Sequence, residues 1–182
     1  MTDSRTQQFV PCGDGRPTHR ARPLAETIEA FAELIDAGDI GQWGVSNFDL
    51  SDMTELLEAG GHSCATNQIL YNLTRRGPEY DLLPWLREHR IPAMAYSPIE
   101  QGRLLGHSQV TEIAARHGAT PAQVALAWLL RQGRVAAIPR SSRPDHTREN
   151  AEARDLHLTE EDVAALNTAF PPPAGPQPLE ML

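Results

Sequence analysis

The sequence contains no lysine, because all sixteen of its basic residues are arginine. This absence excludes any mechanism that requires a lysine ammonium group within these residues. Alanine, arginine, proline and glycine are abundant, which indicates a GC-rich coding bias, so the missing lysine is not by itself a functional signal. The two cysteines, Cys12 and Cys64, are too few for a disulfide framework and form no CxxC motif. They predict a reduced, cytoplasmic setting.

Long apolar runs and excess positive charge are also missing. No run approaches the roughly 20 residues that span a bilayer, and the polar beginning has no signal-peptide segment. The formal net charge of −8 offers no general attraction to nucleic acid or anionic membranes. No Cys/His spacing matches a structural zinc site. With 182 residues, of which 40% are hydrophobic, we expect a soluble globular domain without nucleic-acid, membrane or metal partners.

The pattern of residues divides the chain into three stretches. Residues 1–22 show no sustained hydrophobic period and are predicted to be an irregular or disordered lead-in. Residues 23–170 are predicted to form one domain without an internal boundary. Residues 171–182 contain five prolines and are predicted to be a loop-like tail.

Strand and helix patterns alternate within 23–170. The predicted strands are 40–45, 66–70, 92–96 and 135–139. The predicted helices are 24–37, 51–59, 82–88, 109–117, 121–131, 144–153 and 159–170. Ser51 is predicted to cap the second helix, and Thr159 with Asp162 to form a capping box for the last. This alternation predicts an α/β fold with four parallel strands and outer helices, an incomplete (β/α)8 TIM barrel.

Polar side chains follow each predicted strand where the strand ends. They are Ser46 and Asn47, then Gln68, then Tyr96 and Ser97, then Arg140 and Ser141. Because the carboxyl ends of parallel barrel strands meet at one mouth, we expect these side chains to converge on a ligand. Taken singly, each has a plainer interpretation as a helix cap, a core aromatic or a solvated surface cation.

Several segments, in order and with the expected spacing, resemble the aldo-keto reductase family. They are Trp-Gly-Val-Ser-Asn-Phe at 43–48, Thr-Asn-Gln at 66–68, Tyr-Asn-Leu at 71–73, Met-Ala-Tyr-Ser-Pro at 94–98, Ala-Thr-Pro-Ala-Gln-Val-Ala-Leu-Ala-Trp at 119–128, Ile-Pro-Arg-Ser-Ser at 138–142 and Arg-Glu-Asn at 148–150. Residues 71–77, residues 80–85 and the ending Pro-Leu-Glu-Met-Leu resemble a bacterial branch that includes methylglyoxal reductases. The resemblance covers the carboxyl-terminal half of the family's barrel.

This resemblance implies NADPH as cofactor. Ser46, Asn47 and Gln68 resemble the residues that hydrogen-bond the nicotinamide carboxamide, and Tyr96, followed by Ser97, resembles the tyrosine that stacks on the nicotinamide ring. Arg140 and Ser141 take the place of the grip on the 2′-phosphate, where arginine keeps the charge of the family's usual lysine. Glu149 and Asn150 resemble the adenine contacts, whereas His146 stands where an arginine often stacks on adenine. The loop with Gly102 and Gly106 resembles one that folds over the dinucleotide, or is a flexible connector.

The catalytic residues of the family have no match in this sequence. Carbonyl reduction needs a hydride and a proton, and the family takes the proton from a tyrosine whose pKa is lowered by a lysine paired with an aspartate. The chain has no lysine, and Tyr71, Tyr80 and Tyr96 all match other positions. His19 lies near the place of the family's histidine, but no apolar strand precedes it, so a solvated loop histidine is the preferred interpretation. We therefore predict no catalytic residue and no turnover by this chain alone.

The family's parent activity is NADPH-dependent reduction of small aldehydes, and methylglyoxal-like 2-oxoaldehydes are plausible substrates. Two alternatives remain open: a non-catalytic half-barrel that binds NADPH or a partner, and a nonfunctional gene fragment. Half a barrel exposes two sheet edges and an apolar interior. We therefore expect either a homodimer paired through those edges or a poorly soluble chain.

Overall fold

The computed structural model describes residues 9–11, by their backbone, and residues 23–182. Within this part of the chain, strands and helices alternate. The strands are β1 (Phe9–Pro11), β2 (Gly44–Ser46), β3 (Asn67–Leu70), β4 (Ala93–Tyr96) and β5 (Val135–Ala137). The helices are α1 (Leu24–Asp36), α2 (Leu50–Glu58), α3 (Leu82–Glu88), α4 (Ser108–His117), α5 (Pro121–Arg131), α6 (Pro144–Glu152) and α7 (Glu160–Ala169). Short 3₁₀ segments lie at Gly77–Glu79, Glu100–Gly106 and Ala153–Asp155.

The strands form one parallel sheet in the order β1-β2-β3-β4-β5. The predicted α/β fold with four parallel strands and outer helices is confirmed for β2 to β5. β1 is a fifth strand, in a stretch for which irregular chain was predicted. Two apolar residues, Phe9 and Val10, are too short a run for periodicity to reveal it. The rest of residues 1–22, with Cys12 and His19, lies outside the described residues.

Two local predictions were wrong: the residue at which β2 begins and the residue that caps α2. β2 starts at Gly44 and not at residue 40, and a Cβ on Gly44 would lie 2.7 Å from the Thr66 carbonyl oxygen, so only glycine permits this approach. Asp49, and not Ser51, caps α2: its carboxylate accepts from the Asp52 amide, while Ser51 donates its hydroxyl to Asp49. The capping box of Thr159 and Asp162 at the start of α7 is confirmed.

One face of the sheet packs against the helices and forms the core. Its inward residues are Val45, Asn67, Ile69, Ala93 and Ala95, all buried. The Phe31 and Trp43 rings stack between α1 and the start of β2, with centroids 5.2 Å apart. Each large apolar side chain buried in this layer contributes about 2 kcal/mol to stability relative to exposure.

The opposite face of the sheet is only half covered. Its register aligns Ser46, Gln68, Met94 and Ala136 in one row, and each is partly or fully exposed. Because side chains alternate along a strand, this row would face the interior of a closed barrel. The polar groups that follow it lie at the carboxyl edge of the same sheet. No helix in residues 23–182 is long and apolar enough to cross a membrane.

Candidate functional site

The first part of the candidate site joins the end of β2 to Gln68, which lies inside β3. The Ser46 hydroxyl donates to the Gln68 carbonyl oxygen at 3.2 Å, and the Asn47 amide donates to the same oxygen at 2.8 Å. Asn47 has a φ of +58°, a left-handed conformation that non-glycine residues seldom adopt. Such strain costs about 1 kcal/mol or more, and the bonds at Gln68 hold it in place.

Tyr96 brings the end of β4 to the same place. Burial raises the pKa of its phenol above the ordinary value of 10, while hydrogen bonds from the Leu182 backbone and the Asn47 side chain act in the opposite direction. A hydrogen bond that lowers a phenol pKa is donated to the phenol oxygen, so the Asn47 group that acts on Tyr96 is its side-chain nitrogen, Nδ2. The other side-chain atom of Asn47, Oδ1, is buried and has no hydrogen-bond partner. A buried unpaired acceptor costs about 1–3 kcal/mol, which makes this atom a candidate for ligand contact.

Ser97 follows β4 and repeats the conformation of Asn47, with a φ of +50°. Its carbonyl oxygen accepts a 2.9 Å hydrogen bond from the side-chain nitrogen of Asn72, a fully buried residue in the loop after β3. Asn72 thereby ties the loop after β3 to the loop after β4. The structure thus brings Ser46, Asn47, Gln68, Tyr96 and Ser97, in part through Asn72, to one edge of the sheet.

A buried carboxylate completes this edge, and the sequence analysis missed it. Glu100 is 4% exposed, and its carboxylate accepts hydrogen bonds from Asn72 at 2.8 Å, from Arg75 at 3.1 Å and from Arg103 at 3.2 Å. Burial alone would raise its pKa, but the hydrogen bonds from Arg75 and Asn72 hold the pKa below the ordinary value. Glu100 therefore stays ionised at neutral pH. The sequence carried one signal for this network: Asn72 and Arg75, which bind Glu100, lie in the segment 71–77 that resembles the bacterial branch of the family.

Arg140 and Ser141 lie beyond β5, one strand further along the sheet. Arg140 is exposed. The Ser141 hydroxyl donates to the Arg143 carbonyl at 3.2 Å and accepts from the Arg143 amide at 3.1 Å, so it is occupied within its own turn. The geometry therefore leaves the Arg140 guanidinium as the clearer candidate for binding an anion here.

Glu149 and Asn150 lie on α6, which packs loosely. α6 has no buried residue, and the Glu149 carbonyl accepts a 3.0 Å hydrogen bond from Gln123 of α5. A cavity of about 270 Å³ separates α6 from α5 and β5, and Asn150, Pro139 and Leu126 are among its lining residues. Its walls are mostly apolar, and it adjoins the loop that carries Arg140.

A roomier groove of about 540 Å³ lies elsewhere, between α2, the start of α3 and the tail. Four carboxylates line it, those of Asp49, Glu55, Glu58 and Asp81. Their negative charge disfavours any phosphate-bearing ligand, so the strand ends remain the better candidate. Across the described residues, no group of three or more His, Cys, Asp or Glu side chains is arranged to hold a metal ion.

The parallel sheet, the outer helices and the polar strand ends define the carboxyl-terminal part of a (β/α)8 barrel. The family model described as the aldo/keto reductase family matches residues 15–170. The chain belongs to this family. The match begins eight residues before Pro23, where the predicted domain starts, and so includes part of the stretch predicted to be a lead-in.

Individual relatives agree with the family. The chain is 45% identical over 163 residues to methylglyoxal reductase YeaE of Escherichia coli, covering 86% of this chain and 57% of that protein. It superposes with a TM-score of 0.86 and 46% identity on a Klebsiella pneumoniae aldo-keto reductase solved with NADPH, covering 88% of this chain and 59% of that one. A second Klebsiella structure, with NADP and acetate, gives a TM-score of 0.88 at 43% identity and covers 96% and 62%. The chain thus spans about half the length of the curated relatives it matches.

Proposed function

We propose that this chain binds NADPH along the carboxyl ends of β2 to β5 and carries the dinucleotide-binding part of a carbonyl reductase. The observation that carries the proposal is the buried, unpartnered Oδ1 of Asn47, beside the Tyr96 phenol. A nicotinamide carboxamide carries the NH donor that this acceptor lacks, and an aromatic ring is the surface on which a nicotinamide stacks. Ser46, at the end of β2, donates a hydrogen bond to the backbone of Gln68 in β3.

The exposed groups after β5 suit the other end of the dinucleotide. Arg140 has a guanidinium that can bind a phosphate through two hydrogen bonds, with Ser141 beside it. The cavity beside Asn150 has apolar walls suited to a flat base, and Glu149 precedes Asn150 on the same helix. That a Klebsiella relative of 46% identity was solved with NADPH supports the same choice of cofactor.

The proposed substrate class is small aldehydes, including methylglyoxal-like 2-oxoaldehydes, because one relative is named a methylglyoxal reductase. NADPH supplies the hydride in such a reduction. The chain's residues would bind the dinucleotide and orient its nicotinamide. A proton for the developing alkoxide would have to come from another group.

We propose that these residues alone bind the dinucleotide but do not reduce a carbonyl. Burial and the Glu79 carboxylate raise the pKa of Tyr71, whose hydroxyl donates to Glu79 at 2.9 Å, and burial raises that of Tyr96. A tyrosine acid needs a lowered pKa and a nearby cation, and the chain has no lysine. The raised pKa values of the two tyrosines and the missing lysine favour a binding module over an enzyme.

NADPH titration followed by protein fluorescence tests the binding. We expect saturable quenching with the unmodified chain. Arg140→Glu should abolish it, because the change replaces an attraction to phosphate with a repulsion. Arg154→Glu, an equal charge change at an exposed arginine after α6, is the matched control and should retain binding. Unchanged affinity in Arg140→Glu would remove Arg140 from the site.

Turnover is tested separately, with NADPH and methylglyoxal and with protein freed of host reductases. We expect NADPH oxidation at the rate of the enzyme-free blank. A rate above the blank that purifies with the chain would contradict the proposed lack of a proton donor.

We also propose self-association through β5, which pairs only with β4 among the described strands. The Ile138 amide donates to Ala95 of β4, so the alternate residue Ala137 directs its N–H to the outer edge. Ile138 and Leu130 are exposed beside this edge. We expect a dimer in sedimentation, and Ala137→Pro, which removes an edge donor, should shift it to monomer. A monomeric unmodified chain would refute this contact.

A further inference from the structure

Gln123, at the start of α5, forms hydrogen bonds in two directions with the two ends of its side-chain amide. Its Oε1 accepts from the Thr120 amide at 2.9 Å and completes the capping box of α5. Its Nε2 donates to the Glu149 carbonyl at 3.0 Å and to Oε2 of Glu152 at 3.3 Å, both on α6. A side-chain amide carries one acceptor and two N–H donors, so these bonds can exist together. Gln123 therefore connects the amino end of α5 to the last turn of α6.

The two helices that Gln123 connects differ in how firmly they are held. The residues that follow Gln123 in α5, Val124 to Leu129, are buried in the core. α6 buries none of its residues, and within residues 23–182 no other side chain from outside α6 hydrogen-bonds to it. The carbonyl groups of a last helical turn have no partner inside the helix, and that of Glu149 belongs to this turn. Gln123 thus supplies a tie between α6 and the core.

The same face of α5 lines the cavity of about 270 Å³ beside α6. Leu126 and Leu130 lie three and seven residues after Gln123, so the three side chains share one face of the helix. On α6, Asn150 directly follows Glu149 and borders the same cavity. The helices are thus tied at Gln123 and separated by the cavity further along this face. The position of α6 relative to α5 sets the width of the cavity.

We propose that Gln123 is a positioning residue for the adenine end of the dinucleotide, because it holds α6, and Asn150 with it, at the distance from α5 at which the cavity accepts a flat base. A helix that is already in place loses less conformational freedom when the base binds, so the tie favours binding. The consequence for NADPH rests on the proposed function, whereas the tie between the helices does not.

Gln123→Glu tests the tie without removing the cap of α5. The new side chain keeps an oxygen for the Thr120 amide, as capping boxes with glutamate do, but has no N–H to donate to α6. We expect hydrogen exchange of the α6 amides to become about fivefold faster, the effect of a lost hydrogen bond, while exchange in α5 stays unchanged. Gln132→Glu is the matched control, because Gln132 donates to the Trp128 carbonyl within α5 and should leave exchange in α6 unchanged.

NADPH titration of the same variants tests the positioning role. Gln123→Glu should raise the NADPH Kd about fivefold, and Gln132→Glu should leave it unchanged. In the background of Asn150→Ala, Gln123→Glu should add little, because the two residues act on the same base. A general loss of stability would instead weaken binding equally in both backgrounds.

A double variant separates the tie from the added negative charge. Gln123→Glu combined with Glu152→Gln has the net charge of the unmodified chain and reverses donor and acceptor between the two helices. We expect slow exchange of α6 and most of the NADPH affinity to return. Affinity that returned while α6 still exchanged quickly would assign the loss to charge and refute the positioning role.

The other failures can also be told apart. Unchanged exchange of α6 in Gln123→Glu would refute the tie. Faster exchange with an unchanged NADPH Kd would refute the positioning role, as would a full effect of Gln123→Glu in the Asn150→Ala background. No NADPH binding by the unmodified chain would overturn the proposed function, and with it the positioning role, whereas the exchange rates would still decide whether Gln123 holds α6.

Discussion

The ends of β2 to β4 and the segment after β5 carry similar polar residues, but the protein surrounds them differently. At the first, Asn47, Ser97 and Glu100 have left-handed conformations and hydrogen-bond with neighbouring strands and loops. At the second, Arg140 is exposed and α6 buries no side chain. The first region is built into the core, and the second lies on a loosely packed edge.

This difference indicates how a dinucleotide would be recognised. A nicotinamide would meet groups that are already ordered, so little conformational entropy would be lost in binding it. A phosphate would meet Arg140 on an exposed side chain, and charge rather than fixed geometry would supply the attraction. Substitutions should therefore affect stability mainly in the first region and affinity in both.

Asn72→Ala is expected to have the largest effect. It leaves the buried Glu100 carboxylate and the Ser97 carbonyl without their Asn72 donor. It also removes the Oδ1 that accepts from Thr74 and Arg75. Breaking such a buried network costs about 3 kcal/mol, so the free energy of unfolding measured in urea should fall by that amount.

Asn150→Ala supplies the comparison from the second region. Asn150 is partly exposed on α6, so we expect its loss to change the unfolding free energy by less than about 0.5 kcal/mol. Equal destabilisation by the two alanine substitutions would show that the regions do not differ in the way described.

The sequence predicted the first region's framework well. Strand patterns and family spacing placed Gln68 and Tyr96 on adjacent strands, and the pairing of β3 with β4 bears this out. The expectation that Gln68 follows its strand was wrong, because it lies inside β3 and pairs with Met94 rather than with Tyr96. Apolar periodicity predicts such elements because one face of each must be buried. The same reasoning located Arg140 after β5, although β5 ends at Ala137, two residues earlier than predicted.

The interior polar network could not be predicted in the same way. Glu100 and Asn72 are 28 residues apart in sequence, and nothing in a local pattern says that a glutamate in a glycine-punctuated loop will be buried. Its burial depends on Arg75 and Arg103 arriving from two segments at once. β1 was missed because a three-residue strand has no period, and its existence depends on the edge of β2.

The loss of stability at low pH should also distinguish the two regions. The pKa of Glu100 lies below its ordinary value of 4.5, so its contribution to stability is present above pH 4.5 and is lost as pH falls through the lower, folded-state value. Glu100→Gln should therefore lower stability at neutral pH and make the urea midpoint less dependent on pH below 4.5. Asp162, whose pKa is also lowered, remains in both proteins and sets a common background.

Glu152→Gln is the control for this titration, since it removes a carboxylate from exposed α6. It tests whether the loss of any acidic residue produces the same change. If Glu100→Gln retained the full acid dependence of the unmodified chain, the buried carboxylate would not be ionised as described.

The sharpest separation of stability from binding comes from two glycine substitutions with small expected changes in stability. Asn47, after β2, and Arg134, before β5, have nearly equal left-handed φ values of +58° and +52°. Glycine adopts this conformation without strain, so Arg134→Gly should raise the unfolding free energy by about 0.5 kcal/mol and leave NADPH affinity unchanged. Asn47→Gly relieves the same strain and removes the unpaired buried acceptor, but it loses the hydrogen bond to Tyr96, so these terms should nearly cancel within about 0.5 kcal/mol. Its NADPH Kd should nevertheless rise about tenfold, because the carboxamide would lose its acceptor. Urea unfolding measures the stability of both variants, and fluorescence titration measures their NADPH affinity. If Asn47→Gly bound NADPH as tightly as Arg134→Gly, the left-handed residue after β2 would serve the fold alone.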